Sequence, residues 1–325
     1  MKISLIIPVY NAENTLPALF EALRAQQFRD FEVLFSDDAS SDATPALLHR
    51  FAAESGIPCR ILREEINRGA AAARNRALDA ACGEFLTFAD ADDLPASDWL
   101  EKATQALQSH PDADIVGWDW TLGLSRDGRY MRQPDYSTPQ EAFRSLTGGL
   151  MRWNLWLFMV RRSLLEKNGL RFVDGADMGE DMGLILRCFL RAGTVVQLHE
   201  SLYRYNGVSN SSISREFAPA KRLQVEQNLR LVEEWFAPSD WASILPEAMD
   251  ELKLYLKRPL LIGLDANHYE TWYQWFPEVN ALARKGAAGP LHTRILQKMA
   301  AGKHWGLVKL YYLLVHKLMY GILYR

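Results

Sequence analysis

Three clusters of polar side chains in this chain of 325 residues carry the potential for chemistry. The densest is Asp90-Ala91-Asp92-Asp93. Three carboxylates in four residues repel one another unless a cation sits among them. In extended backbone an Asp-x-Asp sends both carboxylates to one side, because the strand period is two. Such a pair suits a hard cation, Mg2+ or Mn2+, completed by the phosphates of a substrate. The second cluster is Asp37-Asp38-Ala39-Ser40-Ser41-Asp42, in which Asp and Ser could equally cap the helix that follows. The third is Gly179-Glu180-Asp181, ahead of the apolar run Met182–Leu190, where a Glu-Asp pair also complements a helix dipole. Asn67-Arg68-Gly69 adds a fourth feature. Gly69 allows positive φ or close approach of backbone to a ligand, and the N-terminus of the next helix favours an anion. Arg74 on that helix is either a ligand contact or a surface cation.

Strands and helices must place these clusters. Ile3–Val9 is a near-continuous apolar run with β-branched residues, which predicts a strand covered on both faces. Thr15–Gln26 has helical spacing through Leu16, Leu19, Phe20 and Leu23. Phe31–Phe35 reads as a second strand and Ser41–Glu54 as a helix capped by Ser41 or Asp42. Cys59–Leu62 is a third strand, and alanine-rich Ala70–Ala81 a helix ended by Gly83. Glu84–Ala89 and Ile115–Trp120 follow as strands, with a helix over Ala96–Ser109 between them. This alternation predicts an α/β fold with a parallel sheet, whose ligands bind beyond the carboxyl ends of the strands. The polar loops then face one crevice. From Gly123 to about Gly207 the pattern loosens, with a hairpin turn at 126–129 and a late strand at Val195–Tyr205. After Phe217 the chain is helical in character, broken at Pro238, Pro246, Pro259 and Gly289-Pro290.

The net charge of -3 argues against general nucleic-acid affinity. It hides an asymmetry: eight basic residues lie beyond Glu278, the last acid. The other 29 face all 40 acids over residues 1–278, which therefore carry about -11. Cys59, Cys82 and Cys188 form no disulfide or metal spacing, and the first eleven residues do not read as a signal peptide, so a cytoplasmic setting is expected.

The ordered set Pro8-Val9-Tyr10-Asn11, Asp37–Asp42, Asn67-Arg68-Gly69 with Ala73-Arg74-Asn75, Asp90–Asp93 and Gly179-Glu180-Asp181 resembles family 2 glycosyltransferases of the GT-A fold. The likeness covers roughly residues 1–215 and implies a mostly parallel sheet flanked by helices there, followed by a helical C-terminal region over 216–325. It implies that Pro8, Tyr10 and Asp38 hold the nucleotide base, with Asp37 beside them. Asn67, Gly69 and Arg74 would lie near the ribose and diphosphate. Asp90 would lie near the ribose or donor sugar and the cation, and Asp92 would ligate Mn2+ or Mg2+. Asp181 would be the general base, with Glu180 the other candidate. The implied activity is inverting transfer of a hexosyl or N-acetylhexosaminyl group from a nucleotide-sugar to a hydroxyl of a glycan or lipid-linked saccharide, as in bacterial surface-polysaccharide assembly. Asp38 can accept the N3–H of uracil, which fits a pyrimidine donor such as a UDP-sugar and leaves guanine open. Tyr203–Tyr205 with 209–212 resembles the segment that closes over the donor in relatives, with Arg204 a possible contributor. Trp153 and Trp156 either stack on sugar rings or belong to the core.

Two rival readings exist. A sugar-nucleotide nucleotidyltransferase calls for a glycine-rich loop after the first strand, where this chain has Pro8–Asn11. A non-catalytic nucleotide-sugar-binding protein has no need of both the acidic run and Glu180-Asp181.

The tail poses a separate question. Trp305–Tyr324 is apolar and tyrosine-rich, but Lys309, His316 and Lys317 interrupt it, so it is a poor spanning helix. With Lys298 and Gly302 these residues would form a polar stripe on one helix. That pattern predicts peripheral contact of 298–325 with the inner face of the cell membrane, or packing within the protein or a second subunit.

Overall fold

The first apolar run forms β1 (Ile3–Val9), in which Ile3, Leu5, Ile6 and Ile7 are all fully buried. Burial on successive positions marks a central strand covered on both faces. The computed structural model describes residues 2–125, 127–207, 218–286 and 289–319. With β2 (Phe31–Asp37), β3 (Cys59–Arg63) and β4 (Phe85–Phe88), β1 makes a parallel block in the order β3-β2-β1-β4. The links are α1 (Leu16–Arg24), α2 (Thr44–Glu54) and α3 (Ala70–Ala80). In α3, Ala71, Ala72, Ala73 and Ala77 face inward. Alanine has high helix propensity, and its small side chain lets α3 lie close against β1 and β2.

Beyond β4 the sheet becomes mixed. Its further strands are β5 (Leu94–Pro95), β6 (Ala113–Leu122), β7 (Arg129–Met131), β8 (Phe158–Arg161) and β9 (Thr194–Tyr205). Across the described residues the order is β3-β2-β1-β4-β8-β6-β9-β5, with β7 on β6. β8 runs antiparallel to both β4 and β6, whereas β6 and β9 are parallel. The sequence did not announce β5, which has two residues, or β8. A short apolar run such as Phe158–Val160 has no period that separates strand from helix. β6 and β9 also lose register. While β6 advances two steps from Trp118 to Trp120, its partner advances five, from Leu198 to Tyr203, so β9 carries three extra residues. This is a β-bulge of the kind that re-aims side chains.

The helices of this part are completed by α4 (Trp99–Ser109), α5 (Pro139–Thr147), α6 (Arg162–Asn168), α7 (Glu180–Phe189) and α8 (Pro219–Phe236). α4 starts later than Ala96 because the Ala96 amide donates to the Leu202 carbonyl, extending the β5–β9 pairing. α2 starts at Thr44 because Ser41 and Asp42 are engaged by the neighbouring loop.

The chain divides into two compact units. The first holds Met1–Ala142 and Trp153–Phe236, and contains the sheet. The second holds Phe143–Arg152 and Ala237–Arg325. Within it run α9 (Trp241–Ile244), α10 (Ala248–Lys257), α11 (Ala266–Gln274), α12 (Asn280–Lys285), α13 (Leu291–Ala301) and α14 (Trp305–Tyr311), the last continuing as a π-helix over Tyr312–Met319. Lys257 is fully buried there, donating to the carbonyls of Trp275 (3.0 Å) and Phe276 (3.2 Å) and to Asn280 Oδ1 (2.7 Å). One continuous polar stripe from Lys298 onward is not formed. α13 ends at Ala301, and Lys303 takes left-handed backbone (φ 57°) before α14 begins. Among the described residues no helix is long and apolar enough to cross a membrane.

Candidate active site

The loops after β1 and β2 are stitched together by their own polar groups. The Asn11 amide donates to Ser40 Oγ (2.9 Å), and the Ser41 amide donates back to Asn11 Oδ1 (2.9 Å). The amides of Ala12 and Glu13 donate to Thr44 Oγ1 (2.8 Å) and Asp42 Oδ2 (3.2 Å). Asn11 and Ala39 hold left-handed backbone (φ 46° and 65°) to allow this. Such a conformation costs an L-residue about 1–2 kcal/mol. Asp37 is fully buried and accepts from the Ser40 amide (3.0 Å), so it shapes the loop. Asp38, also buried, accepts from the amides of Arg68 (3.1 Å) and Gly69 (2.7 Å). A carboxylate offers about four acceptor positions, so Asp38 retains capacity for a ligand donor. Tyr10 and Asn67 are exposed and Pro8 is half-buried around this corner.

α3 connects that corner to the acidic groups. Gly69 precedes it with φ 91°, and a Cβ there would come within 2.0 Å of Asp177 Oδ2. Asp177 Oδ1 accepts from the Ala71 amide (2.8 Å). The carboxylate at the N-terminus of α3 is thus supplied by the chain itself. One turn on, Arg74 is buried and not a surface cation. Its guanidinium lies 2.8 Å from Glu180, 3.4 Å from Asp90 and 3.5 Å from Asp181, over the ring of Phe172. Burial opposes the charge of Arg74, but Asp181, Glu180 and Asp90 outweigh it and hold Arg74 firmly protonated.

Glu180 and Asp181 open α7, as their place before an apolar helix implied. Asp181 Oδ2 accepts from the Leu155 amide (3.3 Å), while its buried Oδ1 accepts no hydrogen bond from a described residue. Burial raises both carboxyls above the ordinary range; the charge of Asp181 raises Glu180 further, and Arg74 opposes the shift in each. Asp90 is raised by desolvation and then by Asp181 and Asp92, against the pull of Arg74. A carboxyl pushed upward is a better proton acceptor than a free one, which is what general-base work needs.

The run after β4 divides its labour. The Asp90 amide donates to the Tyr203 hydroxyl (3.0 Å). Asp93 is fully buried and accepts from the Asn206 amide (2.7 Å), so it braces the turn. Asp92 takes no hydrogen bond or ion pair from a described residue. No cluster of three His, Cys, Asp or Glu residues able to hold a metal occurs among the described residues. Asp90 and Asp92 supply two carboxylates beyond one strand end, and Mg2+ is commonly held by one or two carboxylates with water and phosphate completing its shell. Trp156 is core: it is buried and stacked on Tyr203 (4.6 Å) and Tyr205 (5.4 Å). Trp153 is half-buried. Arg204 reaches the Leu124 carbonyl (3.5 Å), and 209–212 lie outside the described residues. Sequence reasoning missed Asp177, the Leu155 amide and Tyr203, whose partners lie 106, 26 and 113 positions away.

A parallel block opening into a mixed sheet, with its carboxylates at the strand ends, defines a GT-A fold. The solved structure of TarS (residues 1–349) from S. aureus, in complex with UDP-GlcNAc, aligns with a TM-score of 0.70 at 20% identity, over 96% of this chain and 90% of that one. A mannosyltransferase from Pyrobaculum calidifontis, PcManGT, in complex with GDP-Man and Mn2+, aligns at 0.56 and 20% identity, over 96% and 85%. The family model for glycosyl transferase family 2 matches residues 4–174, and the chain belongs to that family. Among curated relatives, the uncharacterized glycosyltransferase EpsJ of Bacillus subtilis is 29% identical across 67% of this chain, and YibD of Escherichia coli 30% across 66%. Those matches span 64% and 63% of the relatives' own lengths.

Proposed function

We propose that the chain is an inverting glycosyltransferase that moves a hexosyl or N-acetylhexosaminyl group from a UDP-sugar to a hydroxyl of a glycan or lipid-linked saccharide. The observation that carries this reading is the placement of Asp181: a half-buried carboxylate at the start of α7, 3.5 Å from Arg74, whose guanidinium also reaches Asp90 beyond the end of β4 (3.4 Å). Asp181 takes the proton of the attacking hydroxyl, and a single displacement inverts the anomeric carbon. Glu180 and Arg74 set the charge around it. Pro8, Tyr10, Asp37, Asp38, Asn67 and Gly69 form the nucleotide corner. Asp92, with Asp90, would hold Mn2+ or Mg2+, which when bound stabilises the charge of the leaving diphosphate. TarS holding UDP-GlcNAc and PcManGT holding GDP-Man with Mn2+ support a sugar nucleotide and a cation. The choice of uridine rests on Asp38. Calorimetric titration of UDP and GDP, with Mn2+ and with excess chelator, tests it on wild type and Asp92→Ala. UDP should bind best with Mn2+ present and lose that advantage in Asp92→Ala. Equal affinity in every condition would remove the metal and donor assignments together.

The same reading places the enzyme on the cytoplasmic face of a membrane. Leu307, Leu310, Leu313 and Leu314 are exposed on and beyond α14, in a segment with basic and no acidic side chains. Burial of such leucines in the headgroup region, with lysine facing anionic lipid, gives reversible attachment. Leu310→Glu should reduce co-sedimentation with phosphatidylglycerol vesicles, and indifference of the intact chain to those vesicles would end the claim.

A further inference from the structure

α3 presents three consecutive contacts to the segment that leads into α7. Residues 71, 74 and 75 lie on one helix face, being three and four apart. The Asn75 side chain accepts from the Phe172 amide (3.0 Å) and donates to the Phe172 carbonyl (3.0 Å) and to Asp174 (2.8 Å). Arg74 takes Glu180 and Asp181. Between those anchors, Asp177 takes the Ala71 amide. On the other side of the same turn, Asp38 takes the amides of Arg68 and Gly69. The missing side chain of Gly69 is the space that Asp177 fills. From α8, Asn228 holds the carbonyls of Ala176 (3.0 Å) and Met178 (3.1 Å), so Asp177 is pinned from both sides.

We infer that Asp177 is a positioning residue. It ties the nucleotide corner to the Glu180-Asp181 pair, so that the turn which Asp38 holds also sets where the base stands. This rests on the glycosyl-transfer reading above. The carboxylate acts as an acceptor for one amide in a fitted cavity, and the shape of the contact matters more than its charge. Asparagine can keep the acceptor oxygen and alanine cannot.

The test uses the full-length chain with Mn2+, measuring hydrolysis of UDP-glucose and UDP-N-acetylglucosamine, UDP affinity by calorimetry, and amide exchange. Asp177→Ala should lower kcat at least about 10-fold while UDP affinity stays within about 2-fold, because the base moves and the base-binding corner does not. Asp177→Asn should restore kcat to within about 3-fold of wild type. In Asp177→Ala, peptides covering 172–181 should exchange faster, while β1 and β2 stay protected. Three results would overturn the inference: unchanged kcat in Asp177→Ala, tighter UDP binding in that variant (which would make the carboxylate a competitor of phosphate), or unchanged exchange over 172–181. The exchange readout stands even if neither donor is hydrolysed. Absence of hydrolysis by wild type counts against the glycosyl-transfer reading, and a wild type that turns over beside an equally active Asp177→Ala counts against the inference alone.

Discussion

Arg74 and Lys257 are both buried cations, one in each compact unit, and their surroundings are opposite. Arg74 stands among three carboxylates that sustain its charge against burial. Lys257 stands among two carbonyls, an amide oxygen and the ring of Trp272 (4.1 Å). Burial pushes its ammonium down to about 7, with Glu278 pulling the other way. A buried charge needs a compensating partner, and the kind of partner separates the two roles. Neutral oxygens fixed by backbone hold a chain crossing in place. Three carboxylates collected around one arginine hold its charge against burial, while the arginine opposes the upward shift of each of them.

The comparison is broken most sharply at Asp181. Asp181→Asn keeps the shape but cannot take a proton, so turnover should fall at least about 10²-fold with UDP affinity nearly unchanged. Retention of a tenth of wild-type turnover would move the base role to Glu180. Arg74→Met removes the counter-ion and strands Glu180, Asp181 and Asp90. The three carboxylates are half-buried and repel one another without it, so urea denaturation of the variant should show a lower midpoint than wild type. At Lys257 the expectation concerns pH. Its folded value near 7 lies below the ordinary 10.5, so between these the unfolded chain binds the extra proton. Stability therefore rises with pH across that window, and the penalty is fully present below about 7. Melts at pH 6.5 and 9 should show this gain in wild type and a smaller one in Lys257→Met. The smallest effect belongs to the stitched loops. Ala39→Gly relieves left-handed backbone at the cost of a freer unfolded chain, a net change within about 1 kcal/mol.

The sequence reading reached different depths in the two regions. Ile3–Val9 and the alanines of α3 declared themselves because burial on both faces and helix propensity are local properties. The pairing of Asp90 with Glu180 and Asp181 through Arg74 was not legible. It depends on a fold that brings residues 74 and 180 together across 106 positions. The same holds for Asp177, whose partner is an amide and leaves no mark in composition. Asp93 lies outside the expected metal ligands Asp92 and Asp90, and the Asn206 amide shows what it braces. In the tail, helical spacing ran on through Lys303, while the backbone turned left-handed there.

The offset between β6 and β9 makes chain length itself a determinant of the site. Side chains alternate along a strand, so an odd number of inserted residues exchanges inward for outward. The three extra residues before Tyr203 thus decide which face of the sheet its ring occupies, and with it the hydroxyl that receives the Asp90 amide. A single-residue deletion within 199–202 would turn that ring away although every residue named in the site remained. A two-residue deletion would preserve its facing and move it along the strand. Tolerance to deletion in this stretch should therefore follow parity before it follows side-chain identity.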